Sequence, residues 1–209
     1  MPIDFAAVQR RLADARLDPG AADGVAGPRT YAALLAFVAS KQAPGPQMQA
    51  IAAGMVAHLP AYEIDASALR LANFLGQACH ETMGWQFLHE LWGPTATQMR
   101  YEGRTDLGNN HAGDGHLFLG RGIFQLTGRA NYASTGARIG VDLIGNPPLA
   151  EQPDIAVLTA CDFWKSHGLS ELADGDMEDT ITTRINGGRN GAQERRNLIA
   201  RAKQIMGAN

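Results

Sequence analysis

Phe5, Val8, Leu12 and Ala15 recur at helical spacing behind Asp4, whose carboxylate can accept from the first free backbone N–H groups. Residues 4 to 16 are therefore expected to form a short amphipathic helix with Gln9, Arg10 and Arg11 turned outward. Asp18-Pro19-Gly20 ends it, turns follow at Asp23-Gly24 and Gly27-Pro28, and Thr30 is placed to cap a second helix with Tyr31, Leu34, Leu35 and Val38 on its apolar face. Ala43-Pro44-Gly45-Pro46 reads as a connection, because two prolines around a glycine break helix and remove backbone donors. Residues 47 to 58 and 67 to 80 again read as helices. In the second, Leu69, Ala72, Phe74, Leu75 and Cys79 mark a broad buried stripe and Ser67 stands at the capping position, which puts Glu81 at or near a helix end. Residues 151 to 167 and 192 to 206 add two more helices, and alternating strand patterns are scarce. The pattern predicts a mainly α chain with a small helical module at residues 1–42 and a larger domain at residues 43–209.

Composition changes this picture in two ways. Twenty-four glycines among 209 residues point to many irregular connections between short helices, so loops should carry the site. The net charge of −3 gives no global positive field to hold nucleic acid. No stretch approaches the roughly 18 apolar residues of a membrane span, and the first residues lack a basic segment followed by an apolar run. The chain is thus expected to be made in the cytoplasm without a signal peptide, and to reach any target outside the membrane through a separate release system. Cys79 and Cys161 each lie in an apolar, helical stretch and read as buried thiols.

Candidate chemistry gathers in two places. Gly120, Gly122 and Gly128 punctuate a segment that also carries Arg121, Gln125, Thr127 and Asn131, polar groups that a buried strand would not accommodate. The segment reads as a wall against a ligand. Upstream, Glu81 follows an apolar helix and precedes Thr82-Met83-Gly84-Trp85, a setting expected to desolvate its carboxyl and keep it protonated. Hydrolysis of a glycosidic bond by direct displacement needs one such acid and one ionised carboxylate to activate water. His80-Glu81 does not begin a zinc-protease helix, since the second histidine would have to stand at position 84, which is Gly. His111, Asp114 and His116 read as a polar surface loop rather than a metal site. Of Trp85, Trp92 and Trp164, Trp92 is the best candidate to stack on a sugar ring.

Taken in order, Gln77-Ala78-Cys79-His80-Glu81-Thr82, Gly113-Asp114-Gly115, Gly120 to Tyr132 and Ile185-Asn186-Gly187-Gly188 resemble the successive motifs of glycoside hydrolase family nineteen, which comprises chitinases and phage or bacterial endolysins. The resemblance covers residues 67 to 205. It implies a mostly helical, lysozyme-like fold of two lobes around a central cleft, and cofactor-free hydrolysis with inversion. It also implies that Glu81 is the general acid, that Thr127 helps hold the attacking water, and that Asn186 lies near the sugar at the scissile bond. Gln125, Tyr132, Trp92 and His80 fall to substrate binding, and Arg121 to a structural role. For the general base two residues compete: Glu102 resembles the base of the chitinase branch, Glu90 a glutamate of the endolysin branch. Separately, Val8-Gln9, Leu12 and Asp23 to Thr30, with Ala33 and Phe37, resemble a small helical peptidoglycan-binding module that stops soon after Phe37. That resemblance points to the glycan strand of bacterial peptidoglycan as the partner of a monomeric endolysin-type enzyme, ahead of a chitinase or a non-catalytic glycan-binding protein.

Overall fold

The structure, a computed structural model, describes residues 2–208. Eleven α-helices are present among them: α1 (Phe5–Asp14), α2 (Pro28–Val38), α3 (Pro46–His58), α4 (Ala68–Glu81), α5 (Ala96–Met99), α6 (Asp114–Leu117), α7 (Arg129–Ile139), α8 (Pro153–Ser166), α9 (Leu169–Asp174), α10 (Glu178–Asn186) and α11 (Ala192–Met206). Their starts follow local chemistry. Asp4 accepts from the Ala7 amide at 3.0 Å and Ser67 from the Arg70 amide at 3.2 Å. Proline in the first turn, where its missing N–H costs nothing, opens α2, α3 and α8. No helix among the described residues is long and apolar enough to cross a membrane.

Two side chains in the first helices depart from the periodicity. Gln9, expected to face solvent, is buried because its amide organises the turn between the helices: Nε2 donates to Asp23 Oδ1, the Val25 carbonyl and Thr30 Oγ1, and Oε1 accepts from the Gly24 amide. Thr30 is not a cap. It lies inside α2, which starts at Pro28, and its hydroxyl donates to the Pro19 carbonyl at 2.9 Å.

Two apolar cores organise the rest. The larger takes Val8 and Leu12 from α1, Leu34 and Leu35 from α2, Ile51 and Met55 from α3, Phe74 and Leu75 from α4, and continues through α8 and α11. Residues 1–42 therefore do not stand apart, since Trp85 is buried against α2 and donates its indole N–H to the Leu35 carbonyl at 3.1 Å. The connection from Ala43 to Gly45 is short and irregular, and the helices on either side of it share one core. Each fully buried Leu or Phe here contributes about 1.5–3 kcal/mol. The central pair is α4 on α11, brought so close that a Cβ at Gly76 would lie 2.4 Å from Ile199 Cγ1 and 2.7 Å from its backbone nitrogen. The smaller core collects Phe118, Tyr132, Leu143 and Ala150, with Leu126 and Ile139 packed against it. Among the described residues extended pairing is limited to two isolated bridges, His89 with Arg121 and Arg121 with Leu126. Both free cysteines are buried in the larger core, which pushes the Cys79 thiol up to about 12 and that of Cys161 up as well.

Candidate active site

Glu81 is the last residue of α4, and its surroundings are polar rather than the apolar shell expected from Met83 and Trp85. Met83 points to solvent and Trp85 turns into the core. Glu81 Oε1 instead accepts from Nη2 of Arg195, a guanidinium only 1% exposed. Arg195 Nη1 donates to Gln77 Oε1 at 2.7 Å, and Gln77 Nε2 donates to Thr182 Oγ1 at 2.9 Å. Its Nε donates to the Asn190 carbonyl at 3.4 Å, which also accepts from Asn186 Nδ2 at 3.5 Å. One buried arginine thus ties the end of α4 to the loop after α10, and brings Glu81 and Asn186 into one network. Nothing among the described residues donates to Glu81 Oε2, which is left for a ligand. His80, beside it, lies against Gly191 with Nδ1 3.0 Å from Glu194 Oε2.

Across the cleft the organising point is Gly120. Its carbonyl accepts from the Glu90 amide at 2.8 Å, and its own amide lies 3.4 Å from Glu90 Oε2. A Cβ at this position would lie 2.5 Å from Gln125 Oε1 and 3.2 Å from Thr127 Oγ1, so only glycine lets both side chains close over the backbone. Glu90, Gln125 and Thr127 are thereby gathered around one residue. Thr127 Oγ1 donates to the Gln125 carbonyl at 2.9 Å, leaving its lone pairs outward. Glu90 Oε1 accepts from Gln98 Nε2 at 3.1 Å and from the Tyr101 hydroxyl at 3.5 Å. Burial, followed by the Glu90 carboxylate, pushes the Tyr101 phenol up and keeps it a donor. Gln98 is buried and fully engaged. Its Oε1 accepts from the amides of Gly93 and Thr95, which forces Nε2 toward Glu90 and the Leu91 carbonyl.

Glu102 has other work. Its two oxygens accept from the backbone amides of Gly113 at 2.7 Å and Gly115 at 2.9 Å, so it fastens the loop that enters α6. Asp114, the first residue of α6, is buried and held by Arg129 through Nε at 2.8 Å and Nη2 at 2.5 Å. The Arg129 bond holds its carboxyl well below the usual carboxylate range. Trp92 is partly exposed and meets His116 edge to face at 4.8 Å between centroids, while Trp85 and Trp164 are core.

Tyr132 does not line the cleft. It is fully buried in the smaller core, where its hydroxyl donates to the Leu119 carbonyl at 2.7 Å and accepts from Arg121 Nη1 at 3.1 Å; burial pushes the phenol up to about 12. The neighbouring Asn131 is the exposed one, because α7 begins at Arg129 and turns Tyr132 inward. Arg195, Gln98 and Asn190 escape the motif-based reading. A signal for Arg195 exists: Arg195, Ile199, Ala202 and Met206 share the buried stripe of α11, and an arginine on such a stripe needs a partner.

The family model described as Chitinase class I matches residues 45–186. Among curated proteins, the chain is 40% identical over 95 residues to a glycosyl hydrolase family 19 domain-containing protein of Haemophilus influenzae, covering 46% of each. It is also 40% identical over 97 residues to the acidic 27 kDa endochitinase of Solanum lycopersicum, covering 45% of this chain and 35% of that one. The matched stretch spans less than half of either relative. Chitinase C from Streptomyces griseus HUT6037 has a similar fold, with a TM-score of 0.69 at 24% identity over 89% of this chain and 96% of that one. The class IV chitinase of Zea mays superposes with a TM-score of 0.63 at 21% identity, over 85% and 92%.

Proposed function

The chain belongs to the class I chitinase family, glycoside hydrolase family 19, and on that premise we propose that it hydrolyses the glycan strand of bacterial peptidoglycan by inversion. Glu81 acts as general acid. Arg195 fixes Oε1 and orients the carboxyl, so that Oε2 carries the proton to the leaving oxygen. Glu90 acts as general base. The observation that carries this choice over Glu102 is the convergence on Gly120, which sets the Glu90 carboxylate beside Gln125 and Thr127, the groups suited to hold a water. Both Glu102 oxygens are spent on loop amides. Asn186, linked to the acid through Asn190 and Arg195, binds the sugar at the scissile bond in this reading. Trp92 and His80 border the same cleft in this reading. In an inverting pair the two carboxyls stand about 6.5–9.5 Å apart to admit the water, so the first product should carry the inverted anomeric configuration.

The preference for peptidoglycan rests on the likeness of residues 4 to 38 to a wall-binding module. Chitin is the second reading, supported by the relatives named endochitinases. Mass spectrometry of purified peptidoglycan incubated with wild type and Glu81→Gln separates the two. New disaccharide-peptide fragments from the wild type alone are expected, and the sugar at the reducing end identifies the linkage. Cleavage of chitooligosaccharides with peptidoglycan left intact would reverse the choice. Saturable binding with no new reducing ends on either glycan would leave only a binding protein.

A further inference from the structure

Gln125 and Thr127 also line a groove of about 440 Å³ between α7 and α8, a volume typical of small-ligand sites. Its floor is aromatic: Phe124 and Phe163 lie 5.4 Å apart between centroids. The walls are polar in one sense. Ser134 Oγ, Thr159 Oγ1 and Ser166 Oγ each donate to a carbonyl of their own helix, at 3.2, 3.1 and 3.1 Å, and so keep lone pairs to accept with; Thr159 Oγ1 sits beside Gly122, and Ser166 Oγ lies 3.1 Å from His167 Nδ1. His167 Nδ1 lies 2.9 Å from the Phe163 carbonyl. That contact assigns the proton to Nδ1 and leaves Nε2 an acceptor in the neutral ring. Two cations line the groove, and one of them, Arg121, is engaged elsewhere, with Nη1 on the Leu117 carbonyl and the Tyr132 hydroxyl and Nε 3.3 Å from Glu151 Oε2. Arg138 uses Nε and Nη2 on the buried carboxylate of Asp162, at 3.0 and 2.7 Å, and Nη2 on Thr135, while Nη1 has no acceptor among the described residues.

A groove with an aromatic floor, many acceptors and one free guanidinium edge suits a short chain bearing amide N–H donors and a carboxylate. Chitin offers no such charge. We propose that the groove between α7 and α8 binds the stem peptide carried by the muramoyl residues of peptidoglycan, with Arg138 on a stem carboxylate and the serine, threonine and histidine acceptors on its N–H groups. This rests on the peptidoglycan reading above and adds a source of selectivity to it: a strand lying past Gln125 and Thr127 would have its side branches at the groove mouth.

The test uses muramoyl dipeptide as probe in calorimetric titration of the wild type and of Ser134→Trp, an exposed position where a large ring fills the groove without touching either core. Binding to the wild type, weakened at least about tenfold in Ser134→Trp, is expected. No binding to the wild type, or equal binding to both, would overturn the assignment. Arg138→Gln adds a second arm and should weaken binding while leaving turnover of chitooligosaccharides or stem-free glycan unchanged; an equal loss on stem-free glycan would refute a stem-specific role. Peptidoglycan turnover by the wild type is scored separately. Cleavage without dipeptide binding removes the groove and keeps the hydrolase; binding without cleavage does the reverse.

Discussion

Glu81 stands at the end of a fourteen-residue helix and is gripped by an arginine from the other end of the chain, whereas Glu90 stands in irregular backbone and is held by a glutamine, a tyrosine and a glycine amide. The first carboxylate is fixed by the larger core: α4 and α11 touch through Gly76, so Glu81 and Arg195 cannot separate without opening that contact. The second is held by hydrogen bonds from Gln98, Tyr101 and the Gly120 backbone. In the proposed mechanism the helical lobe sets the direction of the acid, and the looped lobe leaves the base adjustable to a bound strand. The largest expected effect tests the rigid side. Glu81→Gln should keep the Arg195 bond through its amide oxygen and lower kcat by about 10⁴-fold, at the upper end for a general acid. Retained turnover would remove Glu81 from the mechanism.

Removing the other half of that pair probes stability. Arg195→Met should cost about 3–5 kcal/mol, since Glu81 loses its partner and Gln77 Oε1 loses its donor inside the fold. Urea unfolding of Glu81→Ala, Arg195→Met and the double variant gives the coupling, and additive losses would show that the pair does not act as a unit. On the looped side, Glu90→Gln should cut kcat by about 10²–10³-fold with little change in KM. Glu102→Gln should reduce it less than about tenfold, while costing about 1–2 kcal/mol through one lost bond to the Gly113–Gly115 amides. The opposite ranking would return the base to Glu102.

The same contrast explains what could be read before the fold was seen. Helices at residues 47–58, 67–80, 151–167 and 192–206 appear close to where apolar periodicity puts them, because each presents one stripe to a shared core. Glu81 at a helix end followed directly. In the looped lobe, position depends on single contacts: Gly120 under Gln125 and Thr127, Gln98 under Glu90, Glu102 on two amides. No period encodes such contacts, and one turn of α7 carries Tyr132, a cleft residue by its motif, into the core. Gln9 failed for a related reason: a polar residue on an outward face was drawn in by a turn rich in unpaired backbone groups.

A pH series separates the lobes. The bond to Arg129 depresses the Asp114 carboxyl relative to its unfolded value, so the folded state binds fewer protons there and gains stability. That gain is fully present above the unfolded value near 3.9 and is lost as pH falls through the lower folded value. Asp114→Asn should therefore cost about 1–3 kcal/mol in urea unfolding at pH 6. The gap to wild type should narrow as pH drops below about 4. Because Asp114 and Arg129 join the loop before α6 to the start of α7, the loosening should begin in the looped lobe. Amide exchange at acidic pH should rise around residues 109–117 before it rises in α4 or α11. A gap that stays constant from pH 6 to 2.5, or exchange that rises in both lobes together, would show that the two halves of the site share one stability after all.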